Sequence, residues 1–227
     1  MNLKIVFAIL LFPLFTFSQI GGKYVYQFLN LVQSPRQAAL GGKILTNVDY
    51  DVNQAVYNPA VINDKMNNQL AVNYGSYYGE VSYGTAAYGY TWDRHYQTFH
   101  ASVSYINYGT FEGRDEIGNL TSPFTGNEAA LSLGWAYNIP WTDMYVGANL
   151  KGISSTLESY NSWGVATDLG FLYIDEKNDI NYALAIRNLG YQLKPYESTQ
   201  EKLPLSVDAG ISQLLEHVPI RWHITLE

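Results

Sequence analysis

Asp49, Asp51 and Asn53 occupy the alternate positions that open a calcium loop, D-x-D-x-N, whose side-chain oxygens converge on the ion. The rest of that loop departs from the chemistry. Gln54 stands where a glycine must make the sharp turn, and Ala60 stands where a glutamate must bind with both oxygens. Calcium is therefore not expected. Gly41-Gly42-Lys43 lacks phosphate-loop spacing and has no strand before it, so it reads as the end of a short helix. The histidines, His95, His100, His217 and His223, are too scattered to form a metal pair on one face of a strand or helix. Asp115 and Glu116 are adjacent, so their side chains diverge and read as solvated loop charges rather than an acid/base pair. There is no G-x-S-x-G and no cysteine, which excludes thiolate nucleophiles, thiolate metal sites and disulfides. No catalytic constellation, cofactor or metal is predicted.

The informative charges lie elsewhere. Lys151, Asp168, Arg187, Asp208 and Arg221 all fall on the small-residue side of alternating apolar runs. If the large side faced lipid, these side chains would point into a lumen, because Arg or Lys facing lipid at the midplane costs ~2–4 kcal/mol. They could line a polar permeation path, or pair with one another or with an N-terminal plug. Both signs are present, which favours pairing.

The elements that carry these charges are strands. Leu70, Val72 and Tyr74 alternate with Ala71 and Asn73; Leu131, Leu133 and Trp135 with Ser132 and Gly134; Val207, Ala209 and Ile211 with Asp208, Gly210 and Ser212. Similar runs cover 99–105, 144–150, 163–173, 180–186 and 220–226, giving about nine antiparallel strands over 68–227. Connections alternate in length. Asp93–His95, Pro140–Thr142, Asp175–Asp179 and Glu216–Val218 are short, whereas Gly109–Gly126, Ser154–Tyr160 and Leu189–Pro204 are longer. That is the pattern of an outer-membrane barrel. Trp92, Tyr96, Tyr108, Trp135, Trp163, Tyr173, Tyr191 and Trp222 near strand ends suit its aromatic girdles. A secreted β-sandwich would need the small face to be richly charged, and it is mostly Gly, Ala, Ser and Asn.

The N-terminus begins with Lys4, an apolar run from Ile5 to Phe17, and small residues at Thr16 and Ser18. Residues 1–18 therefore read as a cleaved signal peptide, which puts the protein outside the inner membrane. Residues 19–67 read as a plug or hatch. Ser34 caps a helix opening at Pro35, Gly41 ends it, and irregular structure follows to about Asn68. The net charge of -7 and the absence of a basic stripe exclude nucleic acid as a partner.

The stretch Ser34–Gly42 (SPRQAALGG), then Asp49 or Asp51, then Asn58-Pro59-Ala60 resembles the N-terminal hatch of the long-chain fatty-acid transporter superfamily of outer-membrane barrels. Tyr26–Leu31 (YQFLNL), Tyr105–Asn119 (YINYGTFEGRDEIGN) and Arg187–Tyr196 (RNLGYQLKPY) resemble the PorQ family, an outer-membrane component of the Bacteroidetes type IX secretion system related to PorV. The resemblance implies an all-β transmembrane barrel of about fourteen strands, an even number as such barrels require. This chain would be an incomplete form of it, lacking the C-terminal part. It implies a plug carried by Arg36, Gly41, Gly42, Asp49, Asp51, Asn58 and Pro59. It implies no enzymatic activity, and a scaffold role in the cargo-attachment complex with a PorZ-like surface protein, PorU and PorV. The outer loops would then dock partners through Phe111, Arg114, Asp115, Tyr191 and Tyr196. The wider superfamily suggests instead a transporter of small hydrophobic molecules. A polar hatch bearing Asp49, Asp51, Asn53 and Asn58 leans towards structural plugging.

Overall fold

Period-2 alternation becomes a single antiparallel sheet in the computed structural model, which describes residues 24–94 and 96–227. The expected signal peptide and residues 19–23 lie outside the described residues. The strands are β1 (Leu70–Ser76), β2 (Ser82–Asp93), β3 (Gln97–Phe111), β4 (Phe124–Asn138), β5 (Met144–Leu157), β6 (Tyr160–Asp175), β7 (Ile180–Lys194), β8 (Ser206–Leu214) and β9 (Arg221–Leu226). Each pairs with its successor in the chain, and β1 and β9 are the two free edges, so the sheet is open.

Burial is inverted relative to a water-soluble sheet. The large apolar side is exposed, with Leu70, Val72, Leu131, Leu133 and Leu150 all more than half accessible. The small, polar side is buried, down to 0% exposure at Asp168 and Asp208. What covers that side is the N-terminal segment. Gln33, Thr46, Asn53 and Ala55 bond to Thr85, Asn181, Asn73 and Asn149, on β2, β7, β1 and β5. His100 and His223 bring in β3 and β9, and Ser162 brings in β6. Gly134 of β4 lies against Ile62, and Gly210 of β8 against Leu45 and Thr46. One short segment touches the inner face of every strand, so the sheet is curled around it.

That segment runs from one end of the sheet to the other. Tyr26 and Leu29 pack with Ile106, Ile153 and Leu203 near the end that carries the connections 112–123 and 195–205. Leu45, Val52, Tyr57, Ile62 and Met66 pack on Ala87, Ala136, Ala183 and Ala185 towards the other end. From there Asn67 and Asn68 lead into β1. The plug is therefore less polar than its acidic and amide residues suggest. It has an apolar spine that fits the small residues of the wall.

Three expected connections differ. β5 and β6 extend until Leu157 pairs with Tyr160, so only Glu158 and Ser159 join them where a longer loop was expected. Glu158 takes the left-handed conformation this tight turn demands (φ 56). β7 runs on to Lys194, so the loop expected from Leu189 begins at 195. β3 reaches Phe111 and β4 starts at Phe124, which trims the other long loop to 112–123. Tyr108 also departs from its expected girdle role. It shares its parity with the buried His100 and Ile106, and its hydroxyl donates to Glu128 on the inner face.

Candidate functional site

The geometry that distinguishes this molecule is the joint between plug and wall. It begins with helix α1 (Pro35–Ala39), opened by Pro35 at its first position and by Ser34 Oγ, which accepts from the Gln37 N–H at 3.2 Å. The helix closes as the sequence predicts. Gly41, at φ +93, donates to Ala38 and Gly42 donates to Gln37 at 2.8 Å, the paired bonds that satisfy a helix C-terminus. A side chain at Gly41 would meet open space, so backbone conformation, not crowding, requires glycine there.

Arg36 projects from α1 onto the acidic turn. It pairs with Asp49 and with Asp51, the latter at 3.4 Å, and its guanidinium lies 5.8 Å from the centre of the Tyr50 ring. Asp49 also accepts from the Asp51 N–H (2.8 Å), Gln54 (2.9 Å) and Asn47 (3.1 Å). Asp51 caps the 3-10 turn Val52–Val56 by accepting from both nitrogens of Asn53. The oxygens that resembled a calcium loop thus face N–H donors and a guanidinium. Burial alone would raise the Asp49 pKa, but Arg36 and the N–H donors outweigh it and hold the carboxyl below its ordinary range. Among the described residues no group of three His, Asp or Glu could hold a metal.

Asn58-Pro59-Ala60 does more than turn the chain towards β1. Asn58, fully buried, accepts from the Ala60 N–H (3.0 Å) and donates to the Leu45 carbonyl (2.9 Å). The turn rests on Gly147 and Gly170, which face each other across β5 and β6. A Cβ on Gly147 would lie 2.4 Å from Pro59, and one on Gly170 would lie 2.1 Å from Asn58. Ala136 and Ala185 flank these glycines on β4 and β7, so four adjacent strands present a shallow bed for three plug residues.

Four of the five predicted lumen charges form two buried pairs. Lys151 meets Asp168 at 2.7 Å and donates to Asn188 at 2.9 Å; Asp168 also accepts from the Asn188 N–H at 2.8 Å. Arg187 meets Asp208 at 2.6 Å, and Asp208 accepts from Ser206 at 3.2 Å. Each pair joins neighbouring strands, and Asn149 joins the first to the plug by donating to both Ala55 and Asp168. Arg221 stands apart at the short-turn end, bonded to Ser212 and the Asp179 carbonyl. It borders a cleft of about 330 Å³ shared with Asp64, Lys65, Arg94 and Glu176.

The expected docking residues separate. Phe111 ends β3, stacked on Phe124 at 5.2 Å, and Arg114 and Asp115 lie in the 112–123 connection. Tyr191 is a strand residue, paired with Val165 and pointing to the exposed face, so it is not a loop residue. Tyr196 bends back over the plug end, where its hydroxyl bonds to Ser155, and burial pushes its phenol up to about 12. It serves the interior. Sequence reasoning missed His100, Asn149, Asn181 and Asn188. The first three share the parity of the lumen charges, a signal that was available. Asn188 sits in a left-handed bulge (φ 57) that alternation cannot reveal.

The class these features define is an all-β protein whose curled nine-stranded antiparallel sheet holds its own N-terminal segment against a polar inner face. Compared with known proteins, the chain matches no family model and no curated sequence.

Proposed function

We propose that this chain forms the wall and plug of an outer-membrane β-barrel and serves as a non-enzymatic scaffold of type IX protein secretion, holding surface partners of the cargo-attachment complex. The observation that carries the membrane reading is the inverted burial. Leucines at the middle of β4 and β5 are exposed, while a lysine, an arginine and two aspartates are buried behind them. The filled inner face supports a scaffold over a pore, since four of the five inward charges are paired with one another and the N-terminal segment is bonded to the wall. The secretion role rests on the resemblance of Tyr26–Leu31, Tyr105–Asn119 and Arg187–Tyr196 to the PorQ family. PorZ-like, PorU and PorV partners follow from that resemblance.

Two measurements test the two halves. Outer-membrane fractionation with heat-modifiable migration tests the barrel, and a soluble periplasmic protein would end that reading. Gene deletion tests the scaffold, with loss of cargo anchoring at the cell surface as the expected result. Normal anchoring with lost uptake of a hydrophobic solute would favour a transporter instead. One feature bears on that second reading: a groove of about 580 Å³ beside β7, bordered by Leu189, Tyr191, Leu203 and Leu205 and also by the polar Gln200, Glu201 and Lys202.

A further inference from the structure

The connection between β3 and β4 is folded, not slack. Asp115 organises it: its carboxylate accepts from the N–H groups of Ile117 (3.0 Å) and Asn119 (2.8 Å) and from the Asn119 side chain (2.9 Å). Its own N–H donates to the Asn119 carbonyl at 3.0 Å, and Gly118 closes the turn at φ +85 by donating to the Asp115 carbonyl. Below this tip, Arg114 and Leu120 pair as an antiparallel bridge, and the Thr121 N–H donates to Gly113 at 2.8 Å. Arg114 is engaged within the same hairpin, by Glu112 at 3.0 Å and the Gly118 carbonyl at 3.2 Å. The hydrogen bonds hold the Asp115 carboxyl below its ordinary range, the Asn119 side chain first among them.

The rigid tip holds two apolar side chains out in solvent, Ile117 at 85% exposure and Leu120 at 67%. Ordering a loop before it binds removes an entropic cost of association. We infer that this hairpin is a pre-formed knob for a folded protein partner, with Ile117 and Leu120 as its anchors and Asp115 as a positioning residue. The partner's chemistry follows from the knob's charge. Glu112, Asp115 and Glu116 outnumber Arg114, so the complementary surface is an apolar pocket rimmed by Lys or Arg. The same carboxylates make insertion of the tip into lipid costly. The inference rests on the scaffold reading and names the surface through which the scaffold would act.

The test uses the full chain in its native outer membrane with p-benzoylphenylalanine in place of Ile117. Illumination is expected to give one discrete protein adduct. Leu120→Ser should lower its yield at least about tenfold, as truncation of a binding anchor does. Asp115→Ala and Glu116→Lys should lower it too, at unchanged outer-membrane level and heat-modifiable migration. Adducts only to lipid, an adduct of twice the chain's own mass, or a yield indifferent to Leu120→Ser and Glu116→Lys would each overturn the inference. Cargo anchoring separates the two levels. If deletion of the gene abolishes anchoring while Leu120→Ser and Glu116→Lys keep it, the knob fails and the scaffold stands.

Discussion

At the scale of single residues, the inner wall is governed by the cost of burying charge. Lys151 and Asp168 are 3% and 0% exposed, and each is tolerable there because the other is present. Asp168→Ala should lower stability by about 3–5 kcal/mol, since it strands a buried ammonium. The paired replacement Lys151→Met with Asp168→Asn should cost less than Asp168→Ala alone, because the asparagine still accepts from the Asn188 N–H. The midpoint of heat-modifiable migration measures both, and a pair that costs more than the single change would refute the argument. Glycine positions follow a different rule, that of close approach. Gly170→Ala should cost about 1–3 kcal/mol through collision with Asn58, whereas Gly152→Ala, where nothing lies within 4 Å, should be tolerated. Protease cleavage of the plug around Lys65 reports the difference. Parity tells the two glycines apart, since Gly170 falls with Asp168 on the inner face and Gly152 with Leu150 on the outer one. That Asn58 crowds Gly170 is visible only once the plug is packed.

At the scale of elements, the strands were readable because alternation is a local property, and the connections were less so. Small residues on both faces of β2, such as Ala86 and Ala87, blur its alternation, although Tyr88, Tyr90 and Trp92 mark the exposed side. Glu158-Ser159 looked like part of a longer loop because Ser154, Ser155 and Thr156 are polar. Ser155 faces the polar inner wall, whereas Ser154 and Thr156 lie on the outer side near the end of β5, where polar residues still pair as strand. The joint between α1 and the turn at Asp49 is an element-scale device with a pH signature. The folded Asp49 carboxyl titrates below its unfolded value, so its contribution is present above the ordinary carboxylate range and lost as pH falls through the folded pKa. The joint should therefore hold at pH 5 and loosen only in stronger acid. Arg36→Gln removes the strongest partner lowering that pKa and should move loosening to higher pH. Acid titration of plug protection against protease reads the shift, and an unchanged profile in Arg36→Gln would contradict it.

At the scale of the whole molecule, sequence and structure agree on an unusual arrangement: large residues out, small and charged residues in. The alternation alone could not say which face was inside, because a sandwich and a membrane barrel share the period. The buried charges decide the geometry, and the solvent around the exposed face remains the physical question. Leu131 on β4 and Leu150 on β5 lie near the middle of their strands, at 55% and 62% exposure. If that face meets lipid, Leu150→Arg should destabilise the protein by ~2–4 kcal/mol, because hydrocarbon cannot solvate the guanidinium. If it meets water, the same change should be neutral within about 0.5 kcal/mol, as for an ordinary surface site. Leu131→Arg should behave alike, whereas Met144→Arg, at the first residue of β5 on the same face, should cost less as depth falls. Unfolding in lipid bilayers distinguishes these outcomes. A neutral Leu150→Arg would remove the membrane from the account while leaving the curled sheet, its plug and the two buried ion pairs as they are.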